Sequence, residues 1–300
     1  MRIAVTGRSG QLVSALRELG ARHPGVDVVA LGRPDLDLAR PWDVASALKA
    51  VRPDIVVNAA AYTAVDEAER EPDIAMAVNA AGAGAVAAAA RALKAPVVQI
   101  STDYVFDGEA SRPYVETDAV APLGAYGASK LEGERTVMDA NPDHVVLRTS
   151  WVFAAEGRNF VRTMLRAAET RAEISVVADH RGCPSYAPDL AEAVLTVCSN
   201  LLADPSERAL RGIFHLCGHG EASWAEFAEA IFALSERKGG HSAAVRRIDA
   251  VDYPTPARRP RDSRLDCSRL AAVHGAGMPH WRDALSRCID RISSSQGVTS

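Results

Sequence analysis

The chain has no Cys-x-x-Cys pair. Its five cysteines, Cys183, Cys198, Cys217, Cys267 and Cys288, are odd in number and far apart, which argues for reduced thiols rather than a disulfide framework. No charge of one sign dominates. The formal net charge is -4 and the basic residues are dispersed, so nothing marks a nucleic-acid surface or a polybasic membrane patch. No apolar run reads as long enough to cross a bilayer, and no signal-peptide pattern precedes the first strand-like segment, so neither a membrane partner nor export is expected and the location is expected to be cytoplasmic. There is no internal repeat and no low-complexity linker. These exclusions leave a soluble globular protein whose partners are small molecules.

What is present is alternation. The 300 residues are 48% hydrophobic, enough for a large core in one domain of about 250 to 300 residues or in two lobes. Short β-branched runs near Ile3–Thr6, Asp27–Leu31, Asp54–Asn58, Pro96–Ser101 and His144–Thr149 are apolar on both faces and end in small or polar residues, as buried parallel strands do. Helical stretches fill the intervals, and Asp73–Leu93 is so rich in alanine that it can approach a sheet closely. The fold class expected is α/β: a Rossmann-like, doubly wound parallel sheet with a smaller C-terminal substrate-binding lobe. Residues 1–150 read as the dinucleotide-binding part, completed by 187–220. Residues 151–186 and 221–291, where prolines cluster and a basic loop runs from Tyr253 to Arg264, read as the substrate lobe, and 292–300 as a disordered tail.

The first strand runs into Gly7-x-x-Gly10. A strand feeding such a turn into a helix aims unpaired N–H groups at a phosphate. Val13 stands where a third glycine would complete the fingerprint, and that glycine serves helix-to-sheet packing rather than ligand contact. Two glycines alone fit a structural turn as well as a cofactor site. The second strand ends in Gly32-Arg33, where NAD sites prefer an acid. Arg33, with Arg8, can pair with a 2′-phosphate, which favours NADPH over NADH; two solvated surface arginines are the plainer reading. Asp37 and Leu38 fall where the chain can cover an adenine, or cap the helix after Pro41.

Tyr126 and Lys130 are four apart on a helix and share a face. An ammonium beside a phenol favours phenolate and lowers its pKa, which suits Tyr126 to proton transfer. The pair follows Ser101-Thr102-Asp103-Tyr104, which emerges at the carboxyl edge of the sheet. An amphipathic surface pair is the bland alternative.

Taken in order, Gly7-x-x-Gly10-Gln11-Leu12, Asn58-Ala59-Ala60-Ala61-Tyr62-Thr63-Ala64-Val65-Asp66, Ser101 to Gly108, Tyr126-x-x-x-Lys130, Arg148-Thr149-Ser150-Trp151 and Tyr253 to Arg264 resemble the dTDP-4-dehydrorhamnose reductases, a family of the extended short-chain dehydrogenase/reductases. The resemblance runs to about Arg291. It implies that NADPH, with NADH also admitted, reduces the C4 ketone of dTDP-4-dehydro-β-L-rhamnose. Tyr126 would give the proton, Lys130 would tune it and hold the nicotinamide ribose, and Thr102 would support the phenol. It further implies Gly10, Gln11 and Leu12 at the pyrophosphate, Asp37 and Leu38 at the adenine, and Ala61, Tyr62 and Thr63 along the middle of the cofactor. Thr102, Asp103 and Trp151 would meet the dTDP-sugar, with Arg258 and Arg259 suited to its diphosphate. Sister 4,6-dehydratases carry glutamate after the threonine and aspartate; here Tyr104 stands there, which favours reduction over elimination.

Three departures stand out. Val13 replaces glycine, His180 and Ser185 replace the usual glutamine and threonine, and Asp262 replaces asparagine. His215-Leu216-Cys217-Gly218-His219 offers ligand-type side chains in alternation, yet reads better as a core strand, and no bound metal is expected. A homodimer is compatible with the family. The competing readings are a reductase of another dTDP-4-keto-6-deoxy sugar and a non-catalytic NADP-binding regulatory subunit.

Overall fold

The computed structural model describes residues 1–296. Strands β1 (Arg2–Thr6), β2 (Asp27–Leu31), β3 (Ile55–Asn58), β4 (Val97–Thr102), β5 (His144–Thr149) and β6 (Gly212–His215) form one six-stranded sheet in the order β6-β5-β4-β3-β1-β2. Every pairing in it is parallel. Ile3, Val5, Ile55 and Val57 on one face and Ala4, Val56 and Val97 on the other are fully buried, so the sheet is covered on both faces, and helical crossovers supply that cover. The order reverses between β1 and β3, which opens a crevice above their carboxyl ends.

The helices of this layer are α1 (Gln11–Arg22), α2 (Val44–Val51), α3 (Pro72–Ala92), α4 (Ala125–Ala140) and α5 (Ala187–Ala203). In α1, Leu12, Val13, Leu16 and Leu19 are buried, a stripe at helical spacing. The long helix α3 corrects one expectation. It spans 21 residues with a mean hydropathy of 1.4, so by length and composition the chain does hold a segment able to cross a bilayer. Here it packs against α4 and the sheet, its alanines Ala83, Ala87 and Ala90 buried in the core.

A second apolar cluster gathers Phe153, Val161, Phe227, Ile231, Trp281 and Leu285. It is built from helices Phe160–Ala168, Trp224–Arg237 and Trp281–Gln296 and a parallel strand pair, Glu173–Val177 with Ala244–Ile248. Helix Trp224–Arg237 starts with a reciprocal cap, Ser223 and Glu226 each bonding the other's backbone, which satisfies two N–H groups at once. The last helix continues to Gln296, so residues 292–296 are helical rather than disordered, carried on by the buried Ile289 and Ile292; residues 297–300 of the expected tail lie outside the described residues.

Candidate active site

At the turn after β1, Gly7 has φ +103° and its N–H bonds the Leu31 carbonyl, locking β1 to the end of β2. A side chain there would meet the Val13 methyl at 3.1 Å. Val13 is 2% exposed; it fills the space over the turn as a core residue, and α1 accepts it without leaving the sheet. The N-cap of α1 is Gly10, with no side chain bonding the helix's first N–H groups, which leaves them free for an anion. Gln11 spans the crevice, donating to the Val152 carbonyl at 3.3 Å and accepting from Asn159 at 3.0 Å. Leu12 turns into the core, so only its backbone faces the turn. A cavity of about 290 Å³ lies beside Ser9, Gln11 and Gly157.

Arg33 is exposed just beyond β2 and bonds no other described residue, whereas Arg8 nearby is paired with Asp35. Leu38 is buried against the backbone face of Gly82 on α3. Asp37 accepts the Ala39 N–H at 3.0 Å, a turn-forming bond. Ala61 and Tyr62 follow β3 half-buried, with Thr63 exposed. The Tyr62 backbone is held at both ends by Asn79, which also donates to the Ser129 hydroxyl at 2.9 Å. Asn79 sits in a π-helical turn of α3, Ala77–Ala81, and the sequence reading passed over it as one polar residue in an alanine tract. A polar rung runs beneath: Thr6 donates to Asn58 at 2.6 Å, and Asn58 to Gln99 at 2.7 Å, so strand ends that looked merely polar are mutually satisfied.

Tyr126 and Lys130 do share one face of α4, against the carboxyl end of β4. The Lys130 ammonium, 3% exposed, donates to the Ile100 carbonyl at 2.6 Å, and burial brings its pKa down to about 8 against the opposing charge of Glu134. The Tyr126 phenol is pushed up to about 12, chiefly by burial, with the Thr102 hydroxyl pulling the other way and Asp103 adding to the rise. This is the opposite direction to that expected from the Tyr-x-x-x-Lys spacing: burial sets the phenol's pKa, while the ammonium is drawn to a backbone carbonyl. Thr102 also donates to Asp103 at 2.9 Å and accepts the Tyr104 N–H. Asp103 is 2% exposed and its Oδ2 has no hydrogen-bond partner among the described residues; burial raises its pKa to about 6, with the nearby Ser263 and Thr102 hydroxyls opposing. An orphaned buried carboxylate oxygen calls for a donor. The Tyr104 ring meets that of Tyr126 edge-on at 5.7 Å.

Beyond the sheet edge a cavity of about 630 Å³ is walled by Phe160, Met164, Trp224, Tyr253 and Arg258. Trp151, at φ +45°, stacks on Trp224 with ring centroids 3.4 Å apart. Its other face lies so close to Gly182 that any side chain there would strike the indole at 2.4 Å. Of the two loop arginines, Arg258 is exposed at the cavity rim. Arg259 is committed, gripping Asp66 in a fork at 2.8 and 3.1 Å and holding that carboxyl below its usual range. Asp262, the residue that replaces asparagine, is bound by Arg264, which also holds Glu221. His180 borders the larger cavity. The alternation after β6 breaks up: His215 bonds the Tyr114 carbonyl at 3.0 Å, the Cys217 sulfur lies 3.4 Å from that of Cys267, and His219 packs on His280.

A parallel sheet with a glycine turn at its switch point, and a half-buried tyrosine and a buried lysine at the carboxyl edge of a central strand, define the class: a Rossmann-type oxidoreductase of the extended short-chain dehydrogenase/reductase kind. A family model described as the RmlD substrate binding domain matches residues 1–294. A dTDP-4-dehydrorhamnose reductase of Sinorhizobium fredii is 50% identical over 289 residues, covering 96% of this chain and 97% of that protein. Among solved structures, a dTDP-4-dehydrorhamnose reductase from Clostridium acetobutylicum superposes with a TM-score of 0.90 at 37% identity, over 97% of this chain and 99% of that one. Another, from Bacillus anthracis in complex with NADP, superposes with a TM-score of 0.88 at 35% identity, with the same coverage. The chain belongs to the dTDP-4-dehydrorhamnose reductase family.

Proposed function

We propose that the chain reduces the C4 ketone of dTDP-4-dehydro-β-L-rhamnose to the alcohol, with NADPH as reductant and Tyr126 as proton donor. The observation that carries this reading is the gathering at the end of β4 of the half-buried Tyr126 with the buried Lys130, Thr102 and Asp103. NADPH supplies the hydride. The residues of the turn fit it: the uncapped α1 N-terminus suits a pyrophosphate and unpaired Arg33 a 2′-phosphate. A Lys130 ammonium that spends one of its three donors on Ile100 has others for ribose hydroxyls.

Burial keeps the Tyr126 phenol neutral across the neutral pH range, and the neutral phenol is the form a reduction requires, because it must give a proton to the developing C4 alkoxide. Thr102 stands beside the phenol, and turning its hydroxyl from Asp103 to the oxygen left behind would stabilise the phenolate. The orphaned Asp103 Oδ2 accepts a sugar hydroxyl, the Trp151–Trp224 stack walls the sugar, and Arg258 meets the diphosphate from the rim of the larger cavity. This two-sided grip orients the ketone, and orientation is the protein's main contribution where the cofactor carries the chemistry. Residues 151–186 and 221–291 thereby act as the substrate lobe.

The test is Tyr126→Phe. Turnover should fall by about 10²- to 10⁴-fold with NADPH binding retained in a fluorescence titration; near-normal turnover would sink the assignment. A panel of dTDP-4-keto-6-deoxy sugars fixes the substrate, and no NADPH oxidation with any of them would favour a regulatory protein.

A further inference from the structure

On α4 the residue one turn beyond Lys130 is Glu134, and it is 1% exposed. Its Oε1 accepts from the Ser101 hydroxyl at 2.5 Å and from Arg148 Nε at 2.9 Å, and its Oε2 from Arg148 Nη2 at 2.7 Å. The three members of the face, Tyr126, Lys130 and Glu134, thus engage consecutive residues of one strand end: Tyr126 the Thr102 hydroxyl, Lys130 the Ile100 carbonyl and Glu134 the Ser101 hydroxyl. A buried carboxylate in this place has a structural use, since it pairs with Arg148. That pairing alone does not require it to stand one turn from the buried ammonium.

We propose that Glu134 is a positioning residue for the reduction, supplying the countercharge that keeps Lys130 an ammonium in its dry seat and fixing the strand end that aims it. The inference rests on the Tyr126/Lys130 reading above. Among the described residues, the other charged or titratable groups near α4 are placed to do something else. Asp103 and Tyr104 face Tyr126, Glu69 accepts the Ala125 N–H at the start of the helix, Asp66 is bound to Arg259, Arg91 bonds the Ala140 carbonyl at the far end of the helix, His144 bonds Asn141, and Glu67 and Asp73 are exposed. Glu134 is the charge that acts on Lys130, opposing the burial that draws protons off it. Arg148 holds both oxygens of that carboxylate, and its guanidinium lies 5.1 Å over the Phe106 ring.

The sign of the effect follows. With Glu134 in place, Lys130 titrates at about 8. Without its negative charge the burial penalty is less opposed, and the ammonium loses its proton at a lower pH. Activity that needs the ammonium then fades from a lower pH upward.

The experiment uses the full chain. It has four lysines, Lys49, Lys94, Lys130 and Lys238, and of these Lys130 is the buried one while the other three are exposed. Lysine-selective ¹³C labelling therefore lets Lys130 be followed by NMR titration of the protein without cofactor, beside the pH profile of kcat for NADPH oxidation. In Glu134→Gln, which keeps an acceptor for Ser101 and Arg148, the Lys130 midpoint should fall by about one pH unit or more, and the alkaline limb of kcat should move down with it. An unchanged or raised midpoint would overturn the proposal and leave Glu134 as the structural partner of Arg148; so would a lowered midpoint with the limb left in place. If Glu134→Gln does not fold, the double variant Glu134→Gln with Arg148→Gln removes both buried charges and is read in the same way. Retained turnover in Tyr126→Phe would instead remove the parent reading, whatever the Lys130 midpoint does.

Discussion

Lys130 and Arg258 are both cations of the proposed site, held in opposite ways. Lys130 lies buried on a helix whose neighbours are a full turn away in either direction, with Glu134 and Arg148 locked beneath it. Arg258 stands exposed, like Arg261, on a proline-stiffened loop whose arginines Arg259 and Arg264 are already occupied, Arg259 by Asp66 and Arg264 by Asp262 and Glu221. At the sheet edge, charge is a part of the fold, and removing it should cost stability as well as rate. On the loop, charge is spent in water, and removing it should cost ligand affinity alone.

The most severe way to strain this comparison is Arg148→Met. The change leaves the buried Glu134 carboxylate without its guanidinium, and a broken buried pair costs about 3–5 kcal/mol. Urea unfolding should show it, and a loss below about 1 kcal/mol would mean the sheet-edge charges are no more structural than surface ones.

Val13→Gly comes next. The valine is packed over Gly7 and within the core cluster, so its removal combines a cavity with a glycine inside a helix, roughly 2–4 kcal/mol together. The third glycine of the fingerprint should therefore not improve this enzyme. NADPH affinity that rose with no loss of stability would show that Val13 does obstruct the cofactor.

Arg33→Ala should leave stability unchanged and weaken NADPH binding by about tenfold, the scale of one charge-assisted contact to a phosphate, with little effect on NADH. Equal losses for both cofactors would remove the 2′-phosphate from Arg33's account.

Much of the sheet layer was legible from residues 1–150, because strands buried on both faces must be apolar throughout and their run lengths mark them out. The Tyr126/Lys130 face was legible for a similar reason: helical spacing fixes which side chains share a side. What spacing did not show was the dielectric. The expected lowering of the Tyr126 pKa became a rise, because burial governs the phenol where Gly127 lets α4 close on the Tyr104 backbone just past β4. Glu134 carried a readable signal, four residues past Lys130, that was passed over. Asn79 carried none, since the π-helical turn that aims it has no local sequence mark. The pairing of Arg259 with Asp66 joins residues 193 apart, and no local pattern announces such a partner.

That long-range pair gives the finest test of the comparison. Arg258 and Arg259 are adjacent and carry the same charge, and from sequence they were equal candidates for the diphosphate. In the structure Arg259 is occupied by Asp66 and the Thr255 hydroxyl, while Arg258 is free at the cavity rim. Arg258→Ala should accordingly raise KM for the nucleotide sugar by about two- to fivefold, the worth of one solvent-screened contact, with kcat and the unfolding midpoint unchanged. Arg259→Ala should act differently. It frees the Asp66 carboxylate, which also accepts the Ala257 N–H, so the loop loses an anchor and the site gains an unpaired negative charge where a diphosphate would approach. Its KM should rise further than that of Arg258→Ala, and raising the salt concentration should narrow the gap, because added ions screen the freed carboxylate more than they restore a lost contact. Identical KM changes for the two variants at every salt concentration would show that the Asp66 pair is incidental, and that the loop presents both arginines to substrate alike.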